Sequence, residues 1–170
     1  MKPYKLQLFI VVLAACIYGA NFWGTSIYIL DEAKNASCAM EMLHAENFIV
    51  PTFNGTLRTD KPPLHYYAMM MSYQLFGVNA FAARLFSVMA GVLTVLSIYI
   101  FAKKFINANT ALYATLVMLS SIQLAIQFHL AVPDPYLILL LTLTILLFYD
   151  GYHYNNRKNL LLAYAAAACA

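Results

Sequence analysis

The sequence predicts an all-α, polytopic transmembrane domain, and three observations lead there. Of 170 residues, 63% are hydrophobic and only 10% are charged, less than half the charged share of an average soluble domain. The charge-free runs are long, and most of the remaining charges gather at their ends. A bilayer is the solvent that suits such a chain.

Taken in order, Leu6 to Leu30 carries no charge and is long enough to cross a hydrocarbon core of roughly 30 Å, so a first span is expected over 6–29. Lys2 and Lys5 ahead of it imitate a secretory leader. The apolar stretch is too long for one, however, and Tyr18-Gly19-Ala20 places a bulky residue where cleavage needs a small one. A retained helix is the expectation.

A polar outer loop, 31–79, follows. Within it Ala33, Ala36, Met40 and Leu43 recur at helical spacing while Lys34, Ser37 and Glu41 face away, predicting an interfacial helix from Glu32 to about Glu46. Leu64 to Phe76 is apolar but only 13 residues long, about 20 Å as a helix. It is expected along the interface, with Met69, Met70 and Met71 as a soft surface touching lipid tails.

Leu85 to Ala102, Phe105 to Ala131 and Pro135 to Tyr149 are again free of Asp, Glu, Lys and Arg, giving spans near 80–102, 108–130 and 135–150. A last apolar run, 160–170, stops after about half a span. The chain therefore reads as one membrane domain, the N-terminal part of something longer.

Basic residues set the orientation. Lys2, Lys5, Lys103, Lys104, Arg157 and Lys158 share one side of these spans, which assigns that side to the cytoplasm. The outer loop and the turn from His129 to Asp134 then share the opposite face, with six of the seven acids, Asp150 being the exception. A net charge of +3 without a basic patch on a soluble surface gives no reason to expect a nucleic-acid partner.

The candidate site residues lie on that outer face. Asp31 and Glu32 start a helix, where Asp31 can be a simple cap; two adjacent acids at a membrane surface also suit a general base or a metal ligand. Asp134 precedes Pro135 and can cap the next helix, or converge with Asp31 on one pocket and share a divalent metal of unspecified identity. Asp60-Lys61-Pro62-Pro63 is a stiff corner, and a lysine held there suits a phosphate as well as it suits an interfacial anchor. Arg84 can bind phosphate or pair with an acid, and His65 can join either network.

His44 and His129 read as interfacial side chains. No zinc spacing is present, and Cys16, Cys38 and Cys169 imply no disulfide framework. Asn35-Ala36-Ser37 and Asn54-Gly55-Thr56 match the glycosylation pattern, and Asn54-Gly55 also reads as a turn.

The order of motifs carries a resemblance. The acid pair Asp31-Glu32, then Glu41-Met42-Leu43, Pro51-Thr52-Phe53-Asn54-Gly55, Asp60-Lys61-Pro62-Pro63-Leu64-His65-Tyr66-Tyr67, Phe76-Gly77 and Ala83-Arg84-Leu85 resembles membrane glycosyltransferases of the GT-C fold. The branch it is most similar to holds lipid A aminoarabinose transferases and protein O-mannosyltransferases. The resemblance runs from about residue 29 to 90, with a further point at Asp134.

It implies transfer of a sugar from a polyprenyl-phosphate carrier to a lipid, glycan or protein acceptor, with inversion, on the periplasmic or exterior face of a bacterial plasma membrane. Asp31, with Glu32 beside it, would be catalytic or metal-associated, Lys61 would contact donor phosphate, and Asp134 would complete the pocket. Lys34 stands where relatives often carry Arg, which keeps the charge and loses the bidentate fork. Lys34, Arg84 and His65 complete the expected phosphate side. A non-catalytic assembly or scaffold subunit and a transporter fragment are the alternatives.

Overall fold

The computed structural model describes residues 3–27 and 30–170. It is 74% helical and all-α apart from one short hairpin. The elements are α1 (Pro3–Tyr18), α2 (Asp31–His44), β1 (Thr52–Phe53), β2 (Thr56–Leu57), α3 (Leu64–Phe76), α4 (Ala80–Phe105), α5 (Ala108–Ser120), α6 (Ile122–His129), α7 (Asp134–His153) and α8 (Arg157–Cys169). Two helices, α4 and α7, are long and apolar enough to cross a membrane on their own, and α5 with α6 passes the same test as a bent pair. Lys2, from the orientation argument, lies outside the described residues.

Local chemistry sets the helix ends. Asn79, Asn107 and Asn156 precede α4, α5 and α8, and each side chain accepts a backbone N–H from the first turn that would otherwise lack a partner. Lys103 and Lys104 sit in the last turn of α4, where positive charge complements the helix dipole. Lys104 pairs with Asp150 of α7, and Asn159 of α8 donates to the same carboxylate. The expected exception among the acids is thus held by a cation at the end of the bundle opposite the outer loop.

Three expectations change. The first span, expected over 6–29, ends as a helix at Tyr18, and residues 19–25 form turns and a bend. Their carbonyls do not need a helix because Arg84 reaches them: its Nη1 donates to Phe22 O at 3.1 Å and Thr25 O at 3.0 Å, and its Nη2 to Ser26 O at 2.9 Å. Irregular backbone beside apolar helices is tolerated when protein groups satisfy it. Residues 28 and 29 of the expected span lie outside the described residues.

The span expected over 108–130 is broken, with α5 and α6 meeting at 68°. Ser120-Ser121 explains the break. Ser120 Oγ donates back to Val117 O, and the Ser121 side chain caps α6 by accepting from Leu124 N, so hydroxyls compete for the backbone where the helix would continue. The bend drives Phe128 into the core against Tyr18, ring centroids 5.0 Å apart. Gly91 of α4 makes room: a Cβ there would lie 2.5 Å from Phe128 Cγ.

The third change is the inner face of α2. Its buried residues are Glu32, Asn35, Cys38, Ala39 and Met42, about one position round from the apolar stripe at Ala33, Ala36, Met40 and Leu43. Met69 and Met70 of α3 are also buried against α2 and α4, leaving Met71 exposed. Interhelical packing, rather than lipid, takes two of the three methionines.

Candidate active site

The outer loop is built as a frame. Glu41 of α2 accepts from Thr52 Oγ1 at 2.7 Å, Asn54 N at 2.7 Å and Gly55 N at 3.3 Å, stapling the β1–β2 hairpin to the helix. The Thr52 hydroxyl is the main cause of the lowered Glu41 pKa, and the two turn amides add to it. Gly55 has φ +73, the conformation that an Asn-Gly turn supplies cheaply. The hairpin then delivers Arg58, Asp60 and Lys61 beside the start of α2.

Asp31 and Glu32 separate at that point. Glu32 is 1% exposed and forms a fork-to-fork pair with Arg84, also 1% exposed, at 2.7 and 2.8 Å. Glu32 Oε1 also accepts from Ala131 N at 2.9 Å, and Asn35 Nδ2 donates to Ala131 O at 3.3 Å. Both backbone polar groups of Ala131 are therefore gripped by α2, three residues before Asp134. This clamp fixes the turn bearing Asp134 against the helix bearing Asp31.

Arg84 meets Glu32, the acid pairing that its position in the sequence also allowed. Arg84 was expected on the phosphate side and Glu32 among the catalytic acids. Glu32 is committed to Arg84 and Ala131, and Arg84 to Glu32, Thr25 Oγ1 and three carbonyls, in a region closed to solvent. Neither side chain lines the cavity beside Lys61.

Asp31 instead faces water at 58% exposure and pairs with Lys61 Nζ at 3.1 Å. Arg58, largely buried, sits behind with Nε on Asp60 at 2.8 Å and Nη2 3.9 Å from Asp31. Neither acid caps its helix: Asp31 and Asp134 each occupy the first helical position, and no side-chain cap bond forms. Asp134 accepts from Gln127 of α6.

Lys61, His65 and Asp134 line one cavity of about 220 Å³, with Tyr136 and the apolar side chains Leu64, Leu137 and Leu140. Asp31 is tied to this cavity through Lys61. Lys34 is exposed on α2 and does not line it.

His65 departs from the phosphate-binding expectation. Its Nδ1 lies 2.7 Å from Pro62 O; a carbonyl only accepts, so Nδ1 carries the proton. Burial pushes its pKa down to about 4, with Arg58 and Lys61 adding to the effect. The ring is thus neutral and offers no positive charge to a phosphate.

No group of three or more His, Cys, Asp or Glu side chains fit to hold a metal ion occurs among the described residues. With Asp31 held by Lys61 and Asp134 by Gln127, this donor set does not fit a dedicated divalent site. Asn35 is buried and bonded to Ala131, so its glycosylation motif is closed, whereas the Asn54 motif is an exposed turn.

Sequence reasoning missed Arg58, Asn35 and Gln127. Arg58 had a signal, being two residues from Asp60 in the same polar loop. Asn35 and Gln127 had none, since their partners are backbone or side-chain atoms set by the tertiary fold.

These features define a multi-pass integral membrane protein whose outer loop and helix ends enclose a charged cavity. The dolichyl-phosphate-mannose-protein mannosyltransferase family matches residues 60–170, and the chain belongs to that family. A protein of Aquifex aeolicus (strain VF5) is 29% identical over 169 residues, covering 99% of this chain and 33% of its own length. The undecaprenyl phosphate-alpha-4-amino-4-deoxy-L-arabinose arabinosyl transferase of Pseudomonas savastanoi pv. phaseolicola (strain 1448A / Race 6) is 31% identical over 149 residues, covering 87% and 28%.

The crystal structure of ArnT from Cupriavidus metallidurans in the apo state superposes with a TM-score of 0.88 at 20% identity, over 98% of this chain and 32% of that one. The same protein bound to undecaprenyl phosphate gives 0.87. The fold is that of the N-terminal part of a GT-C glycosyltransferase. The chain spans about a third of the length of the relatives it matches.

Proposed function

We propose that the chain forms the donor-phosphate part of a glycosyltransferase that takes a sugar from a polyprenyl-phosphate carrier and passes it to a lipid, glycan or protein acceptor. The observation that carries this is the position of Lys61, on a two-proline corner, between Asp31 and the cavity reached by His65 and Asp134. The names of the similar transferases support the same carrier chemistry.

The donor's tail stays in lipid while its phosphate reaches Lys61, which exchanges one carboxylate oxygen for a phosphate oxygen. That exchange frees Asp31. The acceptor oxygen then attacks the anomeric carbon from the side opposite the phosphate, and the C–O bond to phosphate breaks with its electron pair leaving on the phosphate. Lys61 stabilises that departing charge, and Asp31 orients the acceptor hydroxyl and takes its proton. A single displacement inverts the anomeric carbon. Asp134, anchored by Gln127, closes the far wall.

In the complete gene product, Asp31→Asn is expected to reduce sugar transfer by about a hundredfold or more while undecaprenyl phosphate binding stays within a few-fold. Unchanged transfer would return the chain to a scaffold role. The 170 residues alone are expected to hold undecaprenyl phosphate without turnover, and robust transfer by them would overturn the division of labour.

The outer loop belongs, in this reading, on the periplasmic or exterior face of a bacterial plasma membrane. Thr56→Cys, in a background without Cys16 and Cys169, should react with an impermeant maleimide on intact cells. Labelling only after lysis would reverse the orientation.

A further inference from the structure

Arg58 turns toward Asp31 an N–H that no acceptor takes. Its side chain is 9% exposed, and Nη2 is sealed from solvent with no hydrogen-bond partner among the described residues. The rest of the guanidinium is pinned: Nε donates to Asp60 at 2.8 Å and Nη1 to the buried Cys38 Sγ at 3.5 Å. The backbone is held as well, since Arg58 N donates to Pro51 O at 2.9 Å. Nη2 stops 3.9 Å from Asp31 Oδ1, beyond hydrogen-bond range.

The two oxygens of Asp31 therefore face different cations. Oδ2 is held by Lys61 Nζ at 3.1 Å, and Oδ1 looks toward Arg58. Lys61 lines the cavity and Arg58 does not, so a phosphate arriving there meets Lys61 and cannot reach the sealed Nη2. A buried donor without an acceptor is uncommon enough to call for one. The carboxylate already beside it fits, because a closure of about 1 Å turns that contact into a charge-assisted hydrogen bond.

We infer that Arg58 is a positioning residue for the transfer: when Lys61 turns to the donor phosphate, Asp31 closes onto Arg58 through Oδ1, which leaves Oδ2 aimed at the acceptor hydroxyl. As the acceptor oxygen bonds to the anomeric carbon, its proton passes to Oδ2 and the electron pair of the breaking C–O bond leaves on the phosphate. Asp31 is 58% exposed, so without Arg58 it would lose its last ion partner at the moment it has to be in place. This inference rests on the reading of Asp31 as the base and Lys61 as the phosphate ligand.

The test is a double-mutant cycle in the complete gene product, with Arg58→Gln and Asp31→Asn made singly and together. Sugar transfer is read in membranes, which supply the acceptor, at saturating undecaprenyl phosphate carrying 4-amino-4-deoxy-L-arabinose or mannose. Equilibrium binding of bare undecaprenyl phosphate, measured on the same proteins in lipid nanodiscs, counts the folded sites.

Arg58→Gln should slow transfer at saturating donor by roughly tenfold to a hundredfold, the scale of a misplaced catalytic group, and leave undecaprenyl phosphate affinity within about twofold. In the Asp31→Asn background the same substitution should cost no more than about twofold further, because Arg58 acts only through Asp31. Losses that multiply in the double variant would mean that Arg58 merely supports the fold, and a parallel tenfold loss of undecaprenyl phosphate affinity would make Arg58 a phosphate ligand; either overturns the inference. If Arg58→Gln does not accumulate, the cycle is run with Arg58→Lys, which keeps the charge and gives up the fork, and its loss should likewise vanish beside Asp31→Asn. The two readings fail separately. Full transfer by Asp31→Asn alone removes the base itself, whereas a loss in Asp31→Asn that multiplies with that of Arg58→Gln removes only the present inference.

Discussion

Asp31 and Glu32 are adjacent in the chain and end in different solvents. Glu32 turns inward to a bidentate pair with Arg84, closed to water and extended to the backbone of Ala131. Asp31 turns outward, where Lys61, 26% exposed, lies at 3.1 Å and Arg58 at 3.9 Å, and both Asp31 and Lys61 stay within reach of a ligand. Breaking a buried pair strands a charge in low dielectric and costs about 3–5 kcal/mol, whereas an exposed pair is worth roughly 0.2–1 kcal/mol. The inner pair is costly to break, and the outer pair is weak enough to exchange partners, as the proposed transfer requires.

Substitutions on the two sides should separate fold from function. The largest loss of stability is expected for Arg84→Ala, about 3–5 kcal/mol, read as a lowered unfolding temperature in detergent and as poor accumulation in membranes. It removes the cation beside buried Glu32 and releases three carbonyls at once. A variant of wild-type stability would mean that the clamp does not hold the loop.

Glu41→Gln comes next, at about 1–3 kcal/mol, because it weakens a charged acceptor serving three donors. The sign with pH is fixed: the folded pKa of Glu41 is depressed, so its contribution is present above the unfolded value and disappears as pH falls through the folded one. Acid titration of unfolding should be shallower in the variant, and parallel titrations would remove Glu41 from the frame.

Asn35→Leu, which frees the Ala131 carbonyl, should cost about 1–2 kcal/mol. It should also weaken binding at the cavity by displacing Asp134; a stability loss with unaltered donor binding would break the proposed link between clamp and site. Smallest in stability is Lys61→Ala, within about 1 kcal/mol of wild type, accompanied by a tenfold or greater loss of undecaprenyl phosphate affinity. If Lys61→Ala unfolds the protein and leaves affinity unchanged, the comparison is inverted.

The opposite end of the bundle offers a milder version of the same contrast. Lys104 pairs with Asp150 while lying over the Tyr154 ring, 4.4 Å from its centroid, and Asn159 shares the carboxylate. Lys104, Asp150 and Asn159 together tie α4, α7 and α8. At the outer end Lys61 and Asp134 instead line a cavity.

Much of this was legible in the chain, for reasons that are local. Leu64 to Phe76 is a helix with the limits that its apolar run gave. The long apolar runs at 80–102 and 135–150 lie within α4 and α7. The α2 face was misjudged because periodicity counts a buried Glu or Asn as exposed, and Glu32 and Asn35 are inside only because Arg84 and Ala131 meet them. The first span was overestimated because absence of charge does not require a helix when a guanidinium elsewhere supplies the donors.

By itself the sequence determined the solvent and most of the helices, since those depend on hydrophobic run length within neighbouring residues. Only the tertiary structure decided which of two adjacent acids is buried against Arg84 and how the turn bearing Asp134 is held. These are set by partners 52 and 99 residues away in sequence, and a pairing across that distance exists only once the helices have packed.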